Sequence, residues 1–350
     1  IESGLRDFLR ELSKHPFFKD KVVAKDTRYA HLDTCAKVAF LELKGVQQRM
    51  RFSELERMFK ENASFSTGSA AAKKLKAIFD SMNRIFPAKS EALRNRASIV
   101  SFCNVVSQVQ ASGQLKKIEK RLGEFFEKFS DELTTEVEKG QKATDRDLIE
   151  YQQAVNYGTA DRESIEKRRD VLVKKLILFE PALAPCFLKD ASVEKSLEVQ
   201  IRELTDACSG LVYQRNDQHR SKKGEDLFKA TNETTNGWKL IANPIKNQHA
   251  YGQFVDAAYK IFYEGSGSGA RLGGTLPSVI EDIKTLRTDL RHDIEHGKQS
   301  KIKSKEKKIT NTIHRYSGKL SISLLGNEDF LALHLGVLDG LKKYLETLKV

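Results

Sequence analysis

Residues 115–133, LKKIEKRLGEFFEKFSDEL, put Leu115, Ile118, Leu122, Phe125, Phe129 and Leu133 at spacings of three or four, with Lys and Glu between them. This is the period of a helix with one apolar face. The pattern lasts about two to three heptads, too short for a sustained coiled coil, so an amphipathic bundle helix is expected. The same periodicity extends in both directions. Leu5, Phe8, Leu9 and Leu12 form one stripe, and Leu75, Ile78, Phe79, Met82 and Ile85 form another that stops before Pro87. From Ala92 to Val109 the apolar residues Ile99, Val100, Phe102, Cys103, Val105 and Val106 are dense enough for burial on most sides. A helix from Asp161 or Arg162 through Leu178 should bury Ile165, Val171, Leu172, Leu176 and Ile177 and leave Arg168, Arg169, Lys174 and Lys175 outside. Further helices are expected around Val193–Cys208, Tyr251–Tyr263, Ile280–Ile294 and Phe330–Leu348. Alternation at a strand period is clear only at Leu320, Ile322 and Leu324. The chain therefore reads as all-α with at most a minor hairpin.

Pro181 and Pro185 interrupt the helical pattern, and the boundary between two domains, 1–180 and 186–350, is placed there. Residues 214–247 are polar, with Phe228 and Trp238 as isolated anchors; a loop this long in a compact domain is usually functional, or partly structured in ways the pattern hides. Gly265-Ser266-Gly267-Ser268-Gly269 follows a helix rather than a strand, which favours a flexible connection over a phosphate loop.

The chain has 350 residues, 39% hydrophobic and 31% charged, enough to bury sizeable cores. No stretch approaches the apolar length of a membrane span, and no membrane association is expected. The start at Ile1-Glu2-Ser3-Gly4 resembles neither a signal peptide nor an initiation site and points to a preceding segment. A formal charge of +12 favours a polyanionic partner. Cys35, Cys103, Cys186 and Cys208 stand far apart, without the paired spacing of a zinc ribbon or redox motif, which fits buried thiols in a cytoplasmic protein.

The chemistry concentrates in Leu290-Arg291-His292-Asp293-Ile294-Glu295-His296-Gly297. A guanidinium holds phosphate through a planar fork of donors, and an imidazole moves protons near neutral pH. Gly297 suits a helix end, where the dipole favours a cationic histidine. The order Arg291, His292, three residues, His296 resembles the signature of HEPN domains, helical modules of ribonucleases and nucleotide-binding proteins. An arginine followed five positions later by histidine also occurs at Arg10 with His15 and at Arg287 with His292, but only Arg291 with His296 has an allowed second residue. The resemblance implies metal-independent, cofactor-free RNA cleavage through attack of a ribose 2'-hydroxyl. Arg291 would hold the phosphate, His296 would act as general base or acid, and His292 would orient or share the proton work. Arg287, Lys298, Lys301 and Lys303 would contact the RNA backbone. On one straight helix Arg291 and His296 lie about 140° apart, so a homodimer joined through the C-terminal domain is expected, with the motifs facing across the interface. A non-catalytic HEPN module for dimerisation or nucleotide sensing is the alternative.

The same residues spell a third reading. His292-Asp293-Ile294-Glu295-His296 matches the H-x-x-E-H pattern of inverted zinc peptidases, with Glu306, Glu328, Asp329, Asp339 or Glu346 as the available third ligand.

The first half carries Lys25-Asp26-Thr27-Arg28-Tyr29, Ile85-Phe86-Pro87, Leu93-Arg94-Asn95-Arg96-Ala97-Ser98-Ile99, Tyr151-Gln152-Gln153-Ala154 and Glu166-Lys167-Arg168-Arg169. In order and type these resemble the helical tail that follows the ParB/sulfiredoxin-like nucleotide-hydrolysing module of GmrSD-type phage-defence proteins. That module's Asp-Gly-Gln-Gln-Arg element is missing: Gln47-Gln48-Arg49 lacks the preceding Asp-Gly, so no nucleotide hydrolysis is implied for this chain. The resemblance implies an upstream nucleotide-hydrolysing module, absent from this chain, in a larger defence protein with the HEPN domain as effector.

Overall fold

The computed structural model describes residues 3–46, 48–291 and 299–349. They are all-α: no β-strand occurs among them, and a single isolated bridge joins Val22 and Ser90. The chain divides into two compact units, Ile1–Lys175 and Leu176–Val350.

The N-terminal unit holds α1 (Gly4–Leu12), α2 (Pro16–Asp20), α3 (Ala30–Lys44), α4 (Phe52–Glu61), α5 (Ala70–Ile85), α6 (Arg96–Ala111), α7 (Leu115–Glu138), α8 (Arg146–Asn156) and most of α9 (Arg162–Phe179). The 115–133 stripe lies on α7, where Leu122, Phe125 and Phe129 are buried together with Phe126. Phe126 stacks between Phe86 and Phe102, with ring centroids 5.4 and 4.4 Å away, and Phe129 meets Tyr151 edge-on at 4.9 Å. Gly123 lets α7 approach α5: a Cβ there would lie 2.7 Å from the Ile85 carbonyl oxygen. Helix starts carry their own caps. The Asn95 side chain accepts the Ala97 and Ser98 N–H groups at the start of α6, and Asp145 accepts the Leu148 N–H at the start of α8.

Helix α9 departs from its expected polarity. Ile165, Val171, Leu172, Leu176 and Ile177 are buried, but so are Arg168, Arg169 and Lys174. The helix is enclosed on more than one side, and its buried cations have partners, Arg169 within the helix at Asp170 and the others from elsewhere in the chain. Lys174 pairs with Asp147 at 2.8 Å, Lys175 with Asp145, and Arg168 donates to backbone carbonyls.

The C-terminal unit holds α10 (Ala184–Phe187), α11 (Ala191–Lys223), α12 (Asn232–Ala242), α13 (Gln248–Ala258), α14 (Ser278–Arg291), α15 (Gln299–Ser317) and α16 (Asn327–Thr347). Helix α11 packs along α16, and Arg215 closes the contact by donating to the carbonyls of Leu345 and Glu346, both at 2.9 Å, in the last turn of α16. The polar stretch 214–247 is not a long loop. Helix α11 runs on to Lys223, and α12 starts at Asn232 on a Thr231 capping box. The short connection is pinned by Asn216, which is buried and exchanges two 2.8 Å hydrogen bonds with the backbone of Phe228. Trp238 and Phe228 both meet Phe262 edge-on.

The glycine-rich segment is a structured turn rather than a flexible tether. Ser266 is fully buried and donates to the Tyr263 carbonyl, and Arg271 donates to the Leu227 and Gly265 carbonyls. A Cβ at Gly265 would fall 2.1 Å from the Ile261 carbonyl oxygen, so the backbone can pass there only as glycine. At the alternating Leu320, Ile322 and Leu324, where the pattern allows at most a minor hairpin, Ile322–Leu324 form a single helical turn ahead of α16. Cys35, Cys103 and Cys208 are buried free thiols, their pKa values raised by burial. No described helix is long and apolar enough to cross a membrane.

Candidate functional site

The Arg291–His296 segment joins α14 to α15. Ile280, Ile283 and Leu286 of α14 face the core, and Asp282 and Thr285 are buried beside them. Asp282 ties the two helices together, accepting hydrogen bonds from Arg315 at 2.5 Å and from the Tyr316 hydroxyl at 2.8 Å, both on α15. Burial, then the Asp282 carboxylate beside it, pushes the Tyr316 pKa up, so the phenol stays a donor. Gly336 of α16 gives the Tyr316 ring its place, since a Cβ there would approach the ring to 2.8 Å. Nearer the surface, Lys308 pairs with Glu281 at 2.5 Å.

On its other flank α14 meets the widened π turn Tyr259–Glu264 that continues α13. Arg287 donates to Asp256 at 3.2 Å and lies 4.0 Å from the Tyr259 ring centroid. Lys284 stands 4.7 Å from the Tyr263 ring centroid and donates to its hydroxyl at 3.3 Å. The π turn brings both tyrosines to one side, with centroids 4.8 Å apart. Asp289, half-buried on the same helix, has its carboxyl pKa raised by burial.

The expected site residues divide accordingly. Arg287 is held by Asp256 and Tyr259. Lys303, with Lys305 and Lys307, is exposed on α15, and none of the three has a carboxylate partner among the described residues. Lys303, Lys305 and Lys307 are thus displayed on a helix. Arg291 ends α14 and Lys301 lies in the first turn of α15, each described by its backbone alone. His292, His296 and Lys298 lie outside the described residues.

For the zinc reading, both histidines likewise lie outside the described residues, among which no group of His, Cys, Asp or Glu is arranged to hold a metal. Of the possible third ligands, Asp329 accepts the Gly326 N–H at 3.0 Å, Asp339 pairs with Lys343 and Glu346 with Lys342.

Comparison with protein-family models, with characterised proteins and with solved structures returns no match. Sequence reading missed the two supports of α14, the Asp282 network and the tyrosine pair. The first had a signal: Asp282 sits next to Ile283 and four residues before Leu286, a carboxylate on the inward side of an amphipathic helix.

Proposed function

We propose that the C-terminal unit is a HEPN-type endoribonuclease effector of an anti-phage defence protein, working in the cytoplasm as a homodimer and needing neither metal nor cofactor. The observation that carries this reading is the order Arg291, His292, His296 and Gly297 at the junction of α14 and α15. Two helices clamped by a buried carboxylate network make a firm base for such a junction. The exposed lysines of α15 add a sequence-independent attraction for an RNA backbone.

In this reading His296 acts as general base or acid as the ribose 2'-oxygen loses its proton and attacks phosphorus, Arg291 neutralises the phosphate, and His292 orients or shares the proton work. The proton taken from the 2'-hydroxyl is balanced by one given to the 5'-oxygen as its bond to phosphorus breaks. The products are a 2',3'-cyclic phosphate and a 5'-hydroxyl. DNA, lacking the hydroxyl, is spared. Because the angular separation of Arg291 and His296 on a straight helix is unfavourable, each site takes residues from two copies.

The test is incubation of the purified chain with tRNA, bulk RNA and single-stranded DNA in EDTA, beside Arg291→Ala and His296→Ala. RNA cleavage with cyclic phosphate ends is expected from the wild type, falling by about 10²–10⁴ in either variant with the helical circular dichroism unchanged. Cleavage that persists in both variants, or that EDTA abolishes, overturns the proposal. A dimer that binds RNA or nucleotide without cutting points to the non-catalytic HEPN module instead.

A further inference from the structure

Arg168 is 1% exposed. Its Nε donates to Ser101 Oγ at 3.2 Å, one terminal nitrogen to the Ala154 carbonyl at 2.5 Å and the other to the Thr159 carbonyl at 3.0 Å. Ala154 lies in the last turn of α8, so its carbonyl carries part of that helix's negative pole. No described carboxylate pairs with Arg168, and a guanidinium stays protonated, so a cation is buried against neutral groups only. Dipoles offset part of that cost, and an anion would offset the rest.

A cavity of about 150 Å³ opens beside it, lined by Arg168, Lys37, Arg96 and Asn95 over the apolar Val100 and Val155. Lys37 and Arg96 share one carboxylate, Asp33, at 2.8 and 3.4 Å. Three cations therefore face a single acid. The start of α6, capped by Asn95, adds positive potential. Asn95 and Arg96 also line an open hollow of about 770 Å³, together with Lys25, Arg28 and Arg94. Neither Lys25 nor Arg28 has a carboxylate partner among the described residues. The fold thus brings together four segments far apart in sequence: Lys25–Arg28, Arg94–Ala97, the end of α8 and Arg168.

We propose that the inner cavity binds the terminal phosphate group of an organic phosphate ester of the nucleotide class, whose remaining part lies in the outer hollow. The Arg96 fork, the Lys37 ammonium and the remaining N–H on each terminal nitrogen of Arg168 match the oxygens of a dianion better than those of a single carboxylate. The cavity has room for a phosphate group. The outer hollow has the size of a small-molecule site, within the usual range of about 300–1,000 Å³. The site is independent of the ribonuclease reading, since it uses only residues of the N-terminal unit.

The source of the phosphate is decided by the ligands offered. Calorimetric titration of the full chain carrying His296→Ala, which keeps an RNA probe intact, compares inorganic phosphate, ATP, and single-stranded RNA with a 5'-phosphate or a 5'-hydroxyl. Binding of ATP or of 5'-phosphorylated RNA is expected, the hydroxyl oligonucleotide being weaker by about tenfold or more than its phosphorylated counterpart if RNA is the source. Arg96→Ala and Lys37→Ala, at side chains that are 55% and 23% exposed, should each weaken binding by a similar factor while Lys14→Ala, at an exposed lysine that lines neither hollow, preserves it. Inorganic phosphate binding as tightly as any ester removes the outer hollow from the proposal. No binding of phosphate or ATP with equal binding of the two oligonucleotides, or unchanged binding in the Arg96 and Lys37 variants, overturns it. A wild-type chain that binds phosphate but cuts no RNA would count against the ribonuclease reading alone.

Discussion

Each unit buries a large ionisable side chain, Arg168 in one and His334 in the other, and the two solve the problem in opposite ways. Arg168, at 1% exposure, keeps its charge and gathers a hydroxyl and two carbonyls around it. His334, at 0%, gives its charge up. Its Nε2 donates to the Ile241 carbonyl at 3.0 Å, which leaves Nδ1 as a lone pair with no partner, and the imidazole packs on the Phe254 ring with centroids 4.5 Å apart. A proton on Nδ1 would be a buried donor with nothing to receive it, and burial pushes the His334 pKa down to about 3. Guanidinium cannot take this route, so its surroundings must carry the charge, whereas imidazole lets the apolar core stay apolar.

The comparison breaks most sharply at Arg168. Arg168→Met keeps much of the volume but strands the Ala154 and Thr159 carbonyls, at a cost of about 2–5 kcal/mol. Urea unfolding of the variant measures this directly. A loss below about 1 kcal/mol would mean that the guanidinium's own desolvation cancels its hydrogen bonds.

A pH series sharpens the other half. The folded pKa of His334, about 3, lies below the unfolded value of 6.5. Between those limits the unfolded chain binds a proton that the folded chain refuses, so this residue's contribution to stability is complete above pH 6.5 and is lost as pH falls towards 3. The loss over the window is on the order of a few kcal/mol. His334→Gln retains a donor for the Ile241 carbonyl and should flatten the urea midpoint between pH 7 and 4, while Arg168→Met should leave that slope in place. An equal slope in wild type and His334→Gln would remove the histidine from the acid response.

The same contrast shows what the sequence could disclose. Helix α9 was legible because its apolar spacing and the following Pro181 are local signals, and α7 because its stripe has no competing pattern. The burial of Arg168 was not, since a cation on an amphipathic pattern reads as solvated, and its acceptors arise only when α8 turns back on α9. The end of α11 was illegible for a related reason. Beyond Tyr213 it has a single buried anchor, Asn216, whose partner is the backbone of Phe228, and periodicity reports apolar faces rather than amide pairs. Of the candidate site, the motif was plain in the letters. The Asp256 and Tyr259 supports, and the Arg315 and Tyr316 partners of Asp282, come from other turns and helices, which no spacing rule connects.

The smallest effects on stability belong to the lysines of α15, and there the surface separates from the interior. Lys308 is paired with Glu281 but is 55% exposed, so solvent screens the pair and its removal changes little. Lys303 and Lys307 lie one turn apart and are exposed without a carboxylate partner among the described residues. The double variant Lys303→Ala, Lys307→Ala should change unfolding free energy by no more than about 0.5 kcal/mol. If α15 meets an RNA backbone, the same variant lowers the slope of log affinity against log salt by about 0.7 for each phosphate that it no longer neutralises. Binding measured between 50 and 200 mM salt, both concentrations chosen for the assay at roughly the range where such slopes are steep, reads that change. A slope equal to that of the wild type would place the RNA-binding surface elsewhere on the unit. Stability is insensitive to these two side chains because neither orders a neighbour on folding, and for that reason a change in the salt slope can be assigned to the ligand and not to the fold.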